Sequence, residues 1–225
     1  MRGGRAKLPV LAGISGPVPG EGRPWALRRE DFEQLVVLGD RLVGHSAVLV
    51  TGWGGHGRDL AIAVAATACS AGRRTVLLEC DLARPRLAAD LGLPQSPGLH
   101  EYLRWEATPA EVLQPLSLAG SAASGASEPL VCITAGRQGA DPVTLFGLGS
   151  FSHMTAKLRG AYELVVLSGP DLGTEPASLE AVAPHADCVL AAISSAQRGG
   201  SDGRAVRNAL SALPMAALGT VVVGE

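Results

Sequence analysis

Six short runs of apolar, largely β-branched residues limit what this chain can become. They are AVLVT (47–51), TVLLEC (75–80), LVCIT (130–134), ELVVLS (163–168), CVLAAI (188–193) and TVVV (220–223), and they show little alternation with polar residues. A strand with one wet face alternates apolar and polar residues, whereas a strand covered on both faces reads as a continuous apolar run. Segments of helical character lie between the runs, predicted at 28–44, 58–71, 109–116, 143–158, 176–185 and 202–213. Such alternation predicts an α/β fold, a doubly wound and mostly parallel sheet of about six or seven strands. Gly72 stands where the second helix should be capped, and Pro109, Pro142 and Pro176 stand where a first helical turn tolerates proline.

With 225 residues, 47% of them hydrophobic, the chain can bury one sizeable core. We assign 28–225 to a single domain. Residues 1–27, with PVPGEGRP, read as a linker-like segment, and AGSAASGASEP (119–129) reads as a loop with too little apolar surface to order itself. Nineteen basic against 21 acidic residues leave a net charge of −2, which argues against nucleic acid as a partner. The four cysteines form no CxxC and three sit in strand-like runs, so they read as buried reduced thiols. The longest apolar run, LAIAVAATAC, is too short to span a bilayer, and a cytoplasmic location is expected.

The stretch VTGWGGHGRDL (50–60) carries the candidate chemistry. Its spacing is that of GxxxxGK followed by Ser or Thr, with Arg58 in place of the lysine and Asp59 in place of the hydroxyl residue. Twenty-nine glycines are present, so a bare GxxxxG should arise by chance roughly four times, and spacing alone decides little. The context is more telling: the pattern leaves a predicted strand and enters a predicted helix, where backbone N–H groups point at a phosphate. Gly52, Gly54, Gly55, Gly57, Arg58 and Asp59 are therefore candidate nucleotide-binding residues. Arginine's planar fork does not replace a flexible lysine freely, and a carboxylate at 59 repels phosphate unless a cation intervenes. A second candidate group follows the second strand: Glu79 and Asp81 as catalytic acids, Asp81 as a magnesium contact, and Arg84 beside the phosphates. The competing reading of Asp81 and Arg84 is a surface turn with a weak local ion pair.

Several ordered segments resemble the cytoplasmic kinase domain of bacterial tyrosine kinases, which belong to the MinD and ParA branch of P-loop ATPases and accompany capsular and exopolysaccharide export. They are LPVLAGI (8–14), GRRTVLLECDLARPRLAADLGLPQSPGLHEYL (72–103) and GRQGADPVTLFGLGSFSHMTAKLRGAYELVVLSGPDL (136–172). The resemblance implies a P-loop fold, ATP and magnesium as cofactors, a membrane chain-length regulator or polysaccharide export protein as partner, recruitment to the inner face of the plasma membrane, and self-association.

Departures from the family pattern qualify those expectations. Besides Arg58 and Asp59, the two aspartates of the second motif correspond to Glu79 and Asp81, and the third-motif aspartate corresponds to Ser168. The adenine-side asparagine of the last strand falls on Val223 or Gly224, and the Glu-Arg-Arg ring motif survives only as Glu30, with Glu33 and Val36 following. Tyrosine occurs only at 102 and 162, so the family's tyrosine-rich tail is not recognisable. The expectation is a degenerate, non-catalytic pseudoenzyme acting as a regulatory or scaffold partner. The alternative is an active, atypical ATPase or tyrosine kinase in which Arg58 binds phosphate and Asp59, Glu79 and Asp81 hold the metal. His56 reads as a loop histidine, Trp53 as a plug for the phosphate site, and a serine hydrolase is excluded by the missing GxSxG elbow.

Overall fold

The apolar runs are continuous because alternate residues of each strand serve two different cores. The computed structural model describes residues 8–16, 18–20, 23–118, 123, 128–139 and 141–224. Within these, ten strands occur: β1 (Val10–Ile14), β2 (Val18–Gly20), β3 (Arg23–Ala26), β4 (Ala47–Gly52), β5 (Thr75–Glu79), β6 (Gln114–Leu116), β7 (Leu130–Ile133), β8 (Leu164–Ser168), β9 (Cys188–Ile193) and β10 (Ala216–Val223). Nine α-helices also occur within these residues: α1 (Arg29–Gly39), α2 (Gly57–Ser70), α3 (Leu87–Leu91), α4 (Leu99–Leu103), α5 (Pro109–Val112), α6 (Pro142–Phe146), α7 (Gly149–Ala161), α8 (Pro176–Val182) and α9 (Gly200–Ala212). Eight strands form one sheet in the order β1-β10-β9-β4-β8-β5-β7-β6, parallel throughout except for β6 against β7. On β4, Val48 and Val50 face the core shared with α1, α2 and α3, whereas Ala47 and Leu49 face the core shared with α4 to α9. The same alternation runs through β5, β8 and β9, so polar residues have no wet face on which to appear.

Four expectations need correction. The sheet has eight strands rather than about six or seven, because β6 lies inside the predicted 109–116 helix and β1 inside the segment read as a linker. Its Ile14 is only 2% exposed, and β1 pairs with β10 from Val10↔Thr220 to Ile14↔Val223. The helix predicted at 109–116 stops at Val112: Leu113 turns extended, and Pro115, which cannot donate to a ladder, sits in the edge strand β6. The long helix at 143–158 is two helices, interrupted at extended Leu148. Short helices α3 and α4 were not foreseen, since about one turn carries no usable periodicity. By contrast, Gly72 takes φ +84° after α2 as the cap requires. Most of the 119–129 loop lies outside the described residues; Ala123 within it is buried. No helix among the described residues is long and apolar enough to cross a membrane.

The chain runs from β4 to β5 across the position that β8 later fills, and β9 flanks β4 on its other side. This is the crossover at which open α/β sheets place a crevice beyond the carboxyl ends of their strands. The ends of β4, β8 and β5 are therefore neighbours, with Val50 opposite Ser168 and Ser168 opposite Glu79.

Candidate functional site

A loop of residues 53–56 joins β4 to α2, and its shape dictates its glycines. A Cβ on Gly52 would lie 2.3 Å from the Gly57 nitrogen, so the two ends of the loop meet backbone to backbone. Gly54 and Gly55 take φ of +81° and +93°, a region that L side chains rarely enter. The pattern is a built phosphate-loop frame rather than a chance run of glycines. Its first helical residues lie at the amino end of α2, where backbone N–H groups favour negative charge.

Gly52, Gly55, Gly57, Arg58, Glu79, Asp81, Arg84, Arg86, Ser168, Gly169 and Asp171 line one cleft of about 170 Å3. All three motifs thus converge. Among the residues singled out from the sequence, Gly54 and Asp59 do not line it, and neither do Trp53 or His56. Trp53 is not a plug: it packs toward Gly173, whose Cβ position would be 3.5 Å from the indole. The sequence reading had missed Gly169, Arg86 and Asp171. The only signal for Asp171 was its place three residues beyond the third-motif position, in SGPD.

Each charged group already has a partner. Arg58 is ion-paired with Asp90 of α3, and Asp90 also lies 3.9 Å from Arg86. Glu79, 2% exposed, accepts the Arg86 and Leu87 N–H groups on Oε1, both at 2.7 Å, and the Ala135 N–H on Oε2 at 2.9 Å. It braces the start of α3 against the end of β7. Burial pushes its pKa up, opposed by those three N–H donors. The Asp81 carboxylate accepts the Arg84 N–H at 3.1 Å, and its pKa is raised by burial against the pull of Arg84. Arg84 spans the cleft: Nη2 donates to Thr174 Oγ1 at 2.8 Å, Nε lies 3.2 Å from Glu175, and Asp81 is 3.9 Å away. Asp59 has its pKa raised by burial, partly offset by Arg58.

Asp171, 8% exposed, reaches from the loop after β8 into the phosphate loop. Its Oδ2 accepts the Gly55 N–H at 2.9 Å and its Oδ1 the Gly173 N–H at 2.8 Å. The surrounding segment is docked along the frame: Leu172 N–H donates to Gly52 O at 2.8 Å, Gly169 N–H to Val50 O at 2.8 Å, and Thr51 Oγ1 to Pro170 O at 2.6 Å. Burial thus pushes up the carboxyls of Asp59, Glu79 and Asp81, while Arg58 pulls on Asp59 and Arg84 on Asp81 in the opposite direction. A magnesium nucleotide fits these residues poorly. The Asp171 carboxylate takes a loop N–H, Arg58 is paired with Asp90, and Asp59 stands where a magnesium-binding hydroxyl belongs.

The doubly wound sheet with its glycine frame after β4 is the MinD and ParA-like P-loop NTPase fold. One such structure, MinD from Pyrococcus horikoshii complexed with Mg-ADP, matches at TM-score 0.53 and 18% identity over 78% of this chain and 68% of that one. Within that class the chain takes the form seen in bacterial tyrosine kinase domains. The kinase domain of the Escherichia coli tyrosine kinase ETK superposes at TM-score 0.74 and 17% identity, over 96% of this chain and 90% of that one. The chimerical protein CapA2B2 superposes at TM-score 0.79 and 16% identity, over 97% and 95%. No protein-family model and no curated protein matches the sequence. At such identities the likeness defines the fold, and function must be argued from the site.

Proposed function

We propose that this domain keeps the tyrosine-kinase-like fold as a non-catalytic regulatory or scaffold component of exopolysaccharide or capsule export, engaging a membrane chain-length regulator or export protein at the cytoplasmic face of the membrane. The observation that carries the reading is the ion pair between Arg58 and Asp90: the one cation in the loop's lysine position is neutralised by α3. Asp59 beside it lines no part of the cleft, and Glu79 is committed to three backbone donors, so neither stands ready as a magnesium ligand. In this reading Glu79 is a positioning residue.

A second reading, an atypical ATPase or kinase, is favoured by one observation: Arg58, Arg84 and Asp81 line the same cleft as the loop glycines. Calorimetry with ATP and magnesium, paired with a phosphate-release assay, separates the two. The scaffold reading predicts no saturable binding and no release. Magnesium-dependent binding with turnover abolished by Asp81→Ala overturns it.

A further inference from the structure

The poor fit between this cleft and a magnesium nucleotide has a specific cause, and it is intramolecular. A phosphate loop works because its N–H groups, held by glycine geometry at a helix amino end, have no partner inside the protein and turn to an anion. Here the Gly55 N–H has one. The Asp171 carboxylate accepts it at 2.9 Å from a site only 8% exposed. We propose that Asp171 is an internal oxyanion that occupies the seat of a phosphate oxygen and keeps the loop closed to phosphate.

Three features make this a latch rather than a chance contact. The carboxylate is held on both sides, by Gly55 N–H on one oxygen and Gly173 N–H on the other. Its segment is fixed to the frame on either flank, through Thr51 Oγ1 to Pro170 O and Leu172 N–H to Gly52 O, while the Trp53 ring packs beside Gly173. Arg84 ties the far end of the segment to the β5 side through Thr174 and Glu175. A charged acceptor makes a stronger bond to an N–H than a neutral one does, so a neutral anion-sized ligand would not displace it. An incoming phosphate oxygen must compete for the same donor and meets Asp171 as a like charge.

The inference rests on the reading that the loop no longer handles nucleotide, and it names what keeps it so. Removal of the carboxylate should reopen the seat. If the latch is closed nine-tenths of the time, apparent phosphate binding is weakened about tenfold, and a variant without it should gain that factor. The test is a titration of the full chain with inorganic phosphate, following the Gly55 amide signal by nuclear magnetic resonance, in the unmodified protein, Asp171→Asn and Asp171→Ala. Expected is a Gly55 amide shift that saturates in the variants at about tenfold lower phosphate, or less, than in the unmodified protein. Folded variants that respond no better than the unmodified protein overturn the latch. Should both variants unfold, amide hydrogen exchange in the unmodified protein decides: a Gly55 N–H that exchanges as fast as a free loop amide overturns the latch, and a protected one upholds it. The scaffold reading fails in a different sample, through ATP turnover by the unmodified protein.

Discussion

At the residue scale, similar sequence signals have opposite fates. Glu79 looks from the sequence like half of an acidic pair, yet burial and three backbone donors make it a brace between α3 and β7. Asp171 attracts no notice in the sequence and takes the central donor of the loop. Spacing reveals which residues leave a strand together; which N–H a carboxylate finally accepts depends on a segment more than a hundred positions away. Trp105 is a third case. It fills the left-handed position after α4 at φ +64°, where Glu106 N–H bonds back to Glu101 O at 2.8 Å, and glycine is the usual occupant. It is also 74% exposed, so little packing would be lost on its removal. Trp105→Gly should therefore raise unfolding free energy by about 0.5 kcal/mol, relief of backbone strain exceeding the added chain entropy. A urea titration checks the sign.

At the scale of elements, the central strands and α2 were legible because their apolar content answers to local covering on both faces. The edges were not. Strand β1 resembles a linker because one side of it is open and its pairing partner, β10, lies at the far end of the sequence. Its hold on the domain is nonetheless firm: Ile14 is in the core, and the Ser15 N–H donates to buried Asp31 of α1 at 2.8 Å. Ile14→Ala should cost about 2–4 kcal/mol, as for other buried aliphatic truncations, whereas a linker residue would cost nothing. Chemical denaturation of the variant distinguishes these. The break of the predicted 143–158 helix and the early end of 109–116 have a local origin instead: Gly147 and Gly149 flank the first and Pro115 lies at the second, the residue types least suited to a helix interior.

For the whole molecule, the end of the sheet opposite the cleft is closed by an ionic clamp. Asp187 accepts the Ser46 and Ala47 N–H groups at 2.8 and 2.9 Å, and Arg159 Nη1 donates to it at 2.7 Å while Nη2 donates to His185 O at 2.9 Å. Burial pushes the Asp187 pKa up, but these donors outweigh it and hold the carboxyl at about 2, below its ordinary 3.8. A depressed carboxyl stabilises the fold above its unfolded value and loses that contribution as pH falls toward the folded one. Stability should therefore decline from about pH 4 to about pH 2, and Asp187→Asn should flatten that part of the profile, as thermal melts across the range will show. The layered α/β architecture, the succession of the central strands and helices along the chain, and the glycine frame of the loop are all legible in the residues, because each answers to local rules of burial, periodicity and backbone conformation. The outer pairing of β1 with β10, the partnership of Arg58 with Asp90 and the contact of Asp171 with the loop emerge on folding alone. Those depend on which distant groups folding brings within hydrogen-bonding reach, and no local pattern encodes that distance.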